Sequence, residues 1–241
     1  MCCLFLAASS TVAIAQTNVV DLVNPIIGTN GMGHTFPGAC VPFGLVQLSP
    51  DTDTIPHNVD GKYQPRSYEY CAGYQHKDSS IVGFSHTHFS GTGHSDLGDI
   101  LIMPTTGTLK LNPGTATNPD GGYRSRFSHD TELSRPGYYE VMLADYGVKA
   151  QLPTTQRVGI HKYTYPTNSE NQRIILDMIH GIYNYDGKVL WTNIRVENDT
   201  LVTGYRITNG WARTNYTYFA MSFSKPITHY GCEEKAKVNY R

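Results

Sequence analysis

The chain has 241 residues and is nearly neutral, with 19 Lys and Arg against 20 Asp and Glu. This balance gives no support to a nucleic-acid partner, because such proteins present clustered positive charge. No segment after the N-terminus is apolar over the length that a membrane span needs, so none is expected. The 17 tyrosines suit a sugar-binding surface, but tyrosine is equally an ordinary strand residue.

The N-terminal residues have the pattern of a secretion signal. An apolar run over 4–14 is too short to cross a bilayer, and residues 13–15 (Ala-Ile-Ala) fit a signal cleavage site. We therefore expect residues 1–15 to be a signal peptide and the mature chain, 16–241, to be exported. Cleavage leaves an odd number of widely spaced cysteines, which predicts buried free thiols and leaves one disulfide possible. These are Cys40, Cys71 and Cys232.

The elements predicted along the rest of the chain are almost all strands. A short helix is expected near 19–24, ended by Pro25. Beyond it, runs rich in Val, Ile, Thr and Tyr alternate with turn residues. The predicted strands are 44–49, 99–103, 107–111, 138–143, 147–152, 156–165, 173–177, 187–196, 200–208 and 215–223. Hairpin turns are predicted at Asp145–Gly147 and at Asn198–Asp199.

This pattern predicts the fold class. Many strands without helices to cover a parallel sheet require antiparallel sheets packed on each other, so we expect one large all-β antiparallel sandwich. The segments 50–80 and 112–137 contain few strand signals. Loops of this length in a compact domain are usually functional or binding loops.

The stretch GFSHTHFSGTGHSDLGD carries the densest candidate chemistry. His86 and His88 would face the same side of an extended strand. With His94, Asp96 and Asp99 close by in the sequence, they could bind Zn or Fe. The chain would then be an independent metal hydrolase. Histidines at a strand end also commonly bond to backbone and loops. The residues alone leave both interpretations open.

A second glycine-rich stretch, GTNGMGHTFPGAC, begins at Gly28. Gly31 and Gly33 would suit a phosphate loop, but no Lys-Ser/Thr pair and no helix follow, so that motif is excluded. A rigid loop that presents His34 and Phe36 to a ligand fits better.

Two further groups of polar residues could supply oxygen ligands for Ca²⁺. They are SPDTD at 49–53 and HKDSS at 76–80, although neither matches an EF-hand loop and such residues mostly form turns. A Ser-His-Asp triad is also left open, but the chain has no G-x-S-x-G elbow.

Two long motifs resemble a known family. NPIIGTNGMGHTFPGACVPFGLVQLSPDT and YCAGYQHKDSSIVGFSHTHFSGTGHSDLGDILIMPTTG are similar to the N-terminal domain of glycoside hydrolase family 92, the exo-α-mannosidases. The resemblance is strongest over 24–107 and continues to the end of the chain. It implies a supersandwich of the galactose-mutarotase-like type, packed in the whole enzyme on a C-terminal (α/α)6 domain that is absent here.

The resemblance also implies a mechanism and a location. Family members hydrolyse α-mannoside-containing glycans with inversion in a Ca²⁺-dependent reaction, in which one carboxylic acid protonates the leaving oxygen and another activates water. The acid, the base and the main Ca²⁺ ligands belong to the C-terminal domain, so no catalytic residue or metal ligand is expected in this chain. The resemblance also implies export to the periplasm or surface of a Gram-negative bacterium. It does not indicate which mannosidic linkage the enzyme prefers.

What this chain is expected to contribute is a wall of the mannose pocket. The matching positions predict a substrate-binding set drawn from both motifs, which could equally brace the contact between the domains. The set is His34, Phe36, Pro37, Gly38, Tyr70, Cys71, Ser85, His86, Thr87, His88, Ser90 and Gly91. The alternative is a free-standing carbohydrate-binding sandwich without catalysis.

Overall fold

The computed structural model describes residues 18–52, 55–91, 96–182, 185, 187–234 and 237–240. The predicted signal peptide, 1–15, lies outside these residues. The strands are β1 (Ser49–Asp51), β2 (Asn58–Val59), β3 (Lys62–Tyr63), β4 (Ser80–Ile81), β5 (Gly83–Ser85), β6 (Leu101–Thr105), β7 (Ser125–Arg126), β8 (Leu133–Arg135), β9 (Tyr138–Leu143), β10 (Val148–Pro153), β11 (Lys162–Thr164), β12 (Arg173–Asp177), β13 (Val189–Asn198), β14 (Leu201–Thr208), β15 (Asn215–Ser222), β16 (Gly231–Glu234) and β17 (Lys237–Tyr240).

Helical structure in these ranges is confined to short 3-10 turns. They are Val19–Leu22, Pro65–Tyr70, Pro119–Gly121 and His129–Thr131. The first confirms the short helix expected near 19–24; the Asn18 side chain accepts a bond from the Val20 amide at its start. No helix in the described ranges is long and apolar enough to span a membrane.

Three antiparallel sheets form the body of the fold. The first has the strand order β1-β5-β6-β12, the second β11-β10-β9-β8, and the third β13-β14-β15. Three two-stranded ribbons, β2-β3, β4-β7 and β16-β17, complete the described strands. The all-β antiparallel prediction is therefore confirmed.

The main core lies between the first two sheets. In β9 and β10 every second side chain is buried, as a strand with one covered face requires. These side chains meet the inner residues of β5 and β6 in one cluster, in which Phe84 and Tyr139 have ring centroids 6.5 Å apart. All five residues of β6 are buried, so this central strand is covered on both faces. Each large apolar side chain placed here stabilises the fold by roughly 1.5–3 kcal/mol.

Several predicted elements need correction. The run 107–111 is not a strand, and the run 44–49 contributes only its last residue to β1. The run 156–165 is shortened to β11, because the chain turns between Thr154 and Gly159, which form an isolated bridge. The β9–β10 hairpin turns where predicted, whereas the β13–β14 turn lies one residue later than expected, since Asn198 pairs with Leu201.

Candidate functional site

A buried carboxylate, Asp51, is the centre of the polar network inside the fold. Its side chain is 1% exposed. Asp51 Oδ1 lies 2.7 Å from His88 Nε2, and Oδ2 lies 2.8 Å from His180 Nε2. Burial acts to raise the pKa of Asp51, but the charge of His88 and the hydrogen bonds from His180 and His88 lower it well below its ordinary value. Asp51 is therefore an anion held by two imidazoles.

The partners of His88 define its protonation state. Its Nδ1 lies 2.7 Å from the Gln47 carbonyl oxygen, while its Nε2 faces Asp51. Both partners are acceptors, so both ring nitrogens must carry a proton and the buried pair is ionic. Ser85 Oγ lies 3.3 Å from the same Nε2. A catalytic triad uses opposite nitrogens for the serine and the aspartate, so this geometry excludes one here.

His86 belongs to a separate chain of hydrogen bonds. Its Nδ1 is 2.7 Å from the Ile100 carbonyl, its Nε2 is 2.9 Å from His161 Nε2, and His161 Nδ1 is 2.6 Å from the Tyr163 hydroxyl. The pattern is satisfied when Tyr163 donates to His161, His161 to His86, and His86 to Ile100. Burial lowers the pKa of both histidines, which keeps them neutral.

The metal interpretation of the histidine-rich stretch does not agree with this arrangement. Strand β5 ends at Ser85, so His86 and His88 are not successive same-face residues of a strand and they face different partners. Asp96 accepts the backbone amides of Trp211 and Ala212. His94 lies outside the described residues.

Asp99 anchors the next part of the buried network. Its Oδ2 accepts the Thr87 hydroxyl at 2.7 Å, and its Oδ1 lies 2.9 Å from Arg206 Nε in a fully buried ion pair. Arg206 also donates to the carbonyl of His180, which links Asp99 to the Asp51 cluster through β14. The first and third sheets are thus joined by charged groups rather than by apolar packing alone.

Lys188 is a second buried cation beside Arg206. Its ammonium group donates to the carbonyl oxygens of Ile182 and Leu97. Burial, followed by the charge of Arg206, lowers the pKa of Lys188 to about 7. A lysine in this state can exchange a proton near neutral pH.

The two family-like motifs meet at one edge of the first sheet. The Gly91 amide donates to the His34 carbonyl at 2.8 Å. His34 has a left-handed backbone (φ 50°), and its ring stands edge-on to Tyr68 at 4.9 Å. The Phe36 ring lies 5.4 Å from that of His88. The structure therefore brings together predicted residues from both motifs.

Other predicted residues are buried and have internal partners. The Tyr70 hydroxyl donates to the Asp78 carboxylate, and Cys71 Sγ donates to the Tyr68 carbonyl at 2.7 Å. Pro37 accepts the Ser134 hydroxyl. Gly38 is required by space, because a Cβ there would lie 2.3 Å from the Leu48 carbonyl. These residues therefore stabilise the loops from inside the fold and are not open to a ligand.

The solvent side of this edge is formed by residues around Phe89. Phe89 is 61% exposed and Met32 is 63% exposed. Ser90 and Gly91 are also exposed, whereas Phe36, His86 and Thr87 are half-buried. Of the predicted set, Ser90 and Gly91 are the members open to a ligand in this chain.

The described residues of the two candidate calcium segments, 49–53 and 76–80, do not form a calcium site. Ca²⁺ takes six to eight oxygen ligands, but both oxygens of Asp51 face imidazoles and Asp53 lies outside the described residues. In the second candidate segment, Asp78 accepts the Tyr70 hydroxyl and Lys77 pairs with Glu69. Neither segment gathers an oxygen shell.

Sequence reasoning missed three members of the buried network. His180, Lys188 and Arg206 belong to no local motif and come together only through tertiary contacts. One signal was present: Arg206 shares its strand face with buried Val202 and Thr208, where alternation predicts an apolar residue. No disulfide joins Cys40, Cys71 and Cys232 among the described residues, as expected; Cys71 is buried as predicted, whereas Cys40 is half-buried and Cys232 is exposed.

Comparison with known sequences identifies one domain type. Residues 22–240 match the sequence profile of the glycosyl hydrolase family 92 N-terminal domain. A curated relative, an "uncharacterized secreted glycosidase" of Arthroderma benhamiae, is 28% identical over 170 residues, which cover 67% of this chain and 19% of that protein.

Comparison with solved structures gives a consistent result. The family GH92 α-mannosidase of Bacteroides thetaiotaomicron, solved in complex with mannoimidazole, is 43% identical with a TM-score of 0.81, over 91% of this chain and 27% of that one. An inverting mannosidase of B. thetaiotaomicron VPI-5482 is 24% identical (TM-score 0.67), over 96% of this chain and 28% of that one, and supports the fold. The chain thus spans 19–28% of the length of these relatives.

Proposed function

The chain belongs to glycoside hydrolase family 92 as its N-terminal domain, and from this premise we propose that it is the pocket-wall half of a secreted exo-α-mannosidase. The proposal includes inversion at the anomeric carbon, dependence on Ca²⁺ and a role in degrading α-mannoside-containing glycans. It also includes export to the periplasm or cell surface of a Gram-negative bacterium. The α-mannosidase named above and the relative named a secreted glycosidase support it.

One observation carries the proposal for this chain's own residues. The His34 carbonyl receives the Gly91 amide, so the two motifs that resemble the family form one joined surface. The Asp51 cluster is buried and contacts this surface through His88, whose ring lies against that of Phe36. A surface backed by such a network is rigid, and rigid placement is what substrate-orienting groups require.

The buried network does not supply the two carboxyl groups that the reaction needs. Inverting hydrolysis needs one carboxylic acid and one carboxylate about 6.5–9.5 Å apart across the sugar. Asp51 and Asp99 are buried and paired with His88 and Arg206, so neither is available for this work. The acid, the base and the Ca²⁺ ligands are therefore proposed to come from a C-terminal (α/α)6 domain, and this chain would bind and orient the mannoside and exclude water.

The test compares this chain alone with the same chain joined to a family C-terminal domain. On an α-mannobiose, the joined protein should release mannose that appears first as the β-anomer by NMR, and EDTA should abolish the activity until Ca²⁺ is restored. The isolated chain should release none. Robust hydrolysis by the isolated chain, or α-anomer as the first product, would overturn the proposal.

A second candidate, a carbohydrate-binding module, is favoured by the third sheet. Cross-strand pairing places Trp191, Ile207 and Tyr216 in one row and Tyr205 and Tyr218 in the next, on one face. In this face Trp191 is 60% and Tyr218 is 70% exposed. Flat aromatic rings of this kind can stack on pyranose rings.

Tryptophan fluorescence distinguishes this candidate from the first. If the isolated chain is a module, mannan should change its emission, and Trp191→Ala should abolish the change while Trp211→Ala retains it. Under the main proposal the isolated chain shows no saturable change. Both tryptophans are exposed, so either variant should fold.

A further inference from the structure

A cluster of metal-ligating side chains lies outside the network described above. His76, His129 and Glu132 each offer one ligand atom, and these three atoms lie within 4.8 Å of one another. His129 and Glu132 belong to, or directly follow, the 3-10 turn His129–Thr131, whereas His76 comes from the loop before β4. The cluster therefore joins two segments that are distant in sequence.

The fold holds the carboxylate of this cluster firmly. Glu132 Oε1 accepts the Tyr139 hydroxyl at 2.6 Å and the Tyr74 hydroxyl at 2.9 Å. Its side chain is 3% exposed. Hydrogen bonds of this kind fix the orientation of a carboxylate ligand, and such supporting partners are a regular feature of metal sites.

The two imidazoles are placed side by side. The rings of His76 and His129 stack at 3.9 Å, and Phe127 stands edge-on to His129 at 5.1 Å. His129 Nδ1 lies 2.6 Å from Glu132 Oε2. His76 Nδ1 is buried and has no hydrogen-bond partner among the described residues. A buried ring nitrogen left unpaired is costly, and a bound ion nearby would account for this arrangement.

We infer that His76, His129 and Glu132 form a binding site for a divalent transition-metal ion, with Zn²⁺ the best fit. Two imidazoles and one carboxylate are a common zinc donor set, with water in the fourth position, whereas Ca²⁺ requires an oxygen shell. The His129 side chain is 38% exposed, which gives an ion and its water access from solvent.

To receive the ion, the three ligand atoms, which lie within 4.8 Å of one another, must adjust their spacing, and the stacked rings of His76 and His129 must spread apart. Tetrahedral zinc with ligands at about 2.0–2.1 Å places ligand atoms roughly 3.3 Å apart. His129 Nδ1 and Glu132 Oε2, now 2.6 Å apart, must separate slightly as their shared proton leaves.

The experiment uses the full chain without a polyhistidine tag, stripped with EDTA and titrated with Zn²⁺ alone by calorimetry. One Zn²⁺ should bind per chain and raise Tm, since an ion that binds only the folded state stabilises it. His129→Ala and His76→Ala should each weaken binding at least tenfold. Co²⁺ should give visible d–d absorption in the wild type and lose it in both variants.

Matched controls show whether the effect belongs to these ligands. Asp130→Asn removes an exposed carboxylate from the same turn, and His229→Ala removes an exposed imidazole from the loop before β16. Both should bind Zn²⁺ as the wild type does. Absence of stoichiometric Zn²⁺ binding, or binding that survives His129→Ala and His76→Ala, overturns the inference. This outcome leaves the mannosidase proposal untouched, because that proposal uses none of the three ligands.

Discussion

Asp51 Oδ2 and His180 Nε2 lie 2.8 Å apart although 129 residues separate them in the sequence. The other oxygen of Asp51 faces His88, which precedes β6 in the chain, while His180 follows β12. One carboxylate therefore fixes three segments relative to each other. The surface where the two family motifs meet depends on this contact, because Phe36 lies against the ring of His88.

Asp51→Asn should destabilise the chain by about 3–5 kcal/mol, because it removes one partner of a buried ionic group and leaves the imidazoles unpaired. The pKa of Asp51 is lowered in the fold, so its stabilisation is present above the unfolded value near 3.9 and is lost as the pH falls toward the folded value. Urea unfolding between pH 2 and 7 measures both effects. Asp199→Asn, an exposed hairpin residue, should keep the wild-type acid slope; the same slope in Asp51→Asn would contradict the assignment.

Lys188→Met should change how stability depends on alkaline pH. Burial lowers the pKa of Lys188 to about 7, whereas the unfolded value is about 10.4, so between these values the unfolded chain binds more protons. Wild-type stability should therefore rise by up to roughly 1.4 kcal/mol per pH unit from pH 7 to 10, relative to Lys188→Met. Lys62→Met, at an exposed position, is the control. A parallel pH profile for the wild type and Lys188→Met would show that the lysine is not held in a desolvated site.

Gly38→Ala should destabilise the chain strongly because a Cβ at this position would lie 2.3 Å from the Leu48 carbonyl and from Ser49. The backbone must move, and the cost should exceed about 3 kcal/mol. Gly31→Ala is the comparison: a Cβ there meets nothing within 4 Å, and the positive φ alone costs roughly 1–2 kcal/mol. Thermal unfolding of the two variants should rank them in this order. Equal losses would mean that space around Gly38 is not limiting.

Phe36→Ala should lower kcat/KM for an α-mannoside by about 10–100-fold in the joined enzyme. The ring supports His88 behind the proposed pocket wall, and a misplacement of about 1 Å can cost two orders of magnitude in rate. Phe43→Ala removes the same type of side chain from a fully exposed position and should leave kcat/KM unchanged. Tm measured on both variants separates an effect on the pocket from a loss of folded protein.

The sequence predicted those parts of the structure that depend on local pattern. Alternation over 138–153 indicates a half-covered hairpin, and β9 and β10 form it with every second residue buried. The same alternation cannot predict which buried positions of a strand hold charged residues. Arg206 lies where an apolar side chain is expected, and only the folded partners Asp99 and His180 explain it. The partners of His86 and His88 were also not predictable from the sequence. Their spacing fits a metal site only in a continuous strand, whereas β5 ends at Ser85.

The Asp51–His180 contact also has a consequence for the order of folding. Asp51 and His180 are 129 residues apart, so closing their contact costs about 1 kcal/mol more in loop entropy than closing the contact of Asp51 with His88. His88 follows Asp51 after only 37 residues and can pair with it early. While only His88 is paired with Asp51, the second oxygen of the carboxylate is without its imidazole partner. Docking of the segment after β12 completes the charge network and fixes the two family motifs in place.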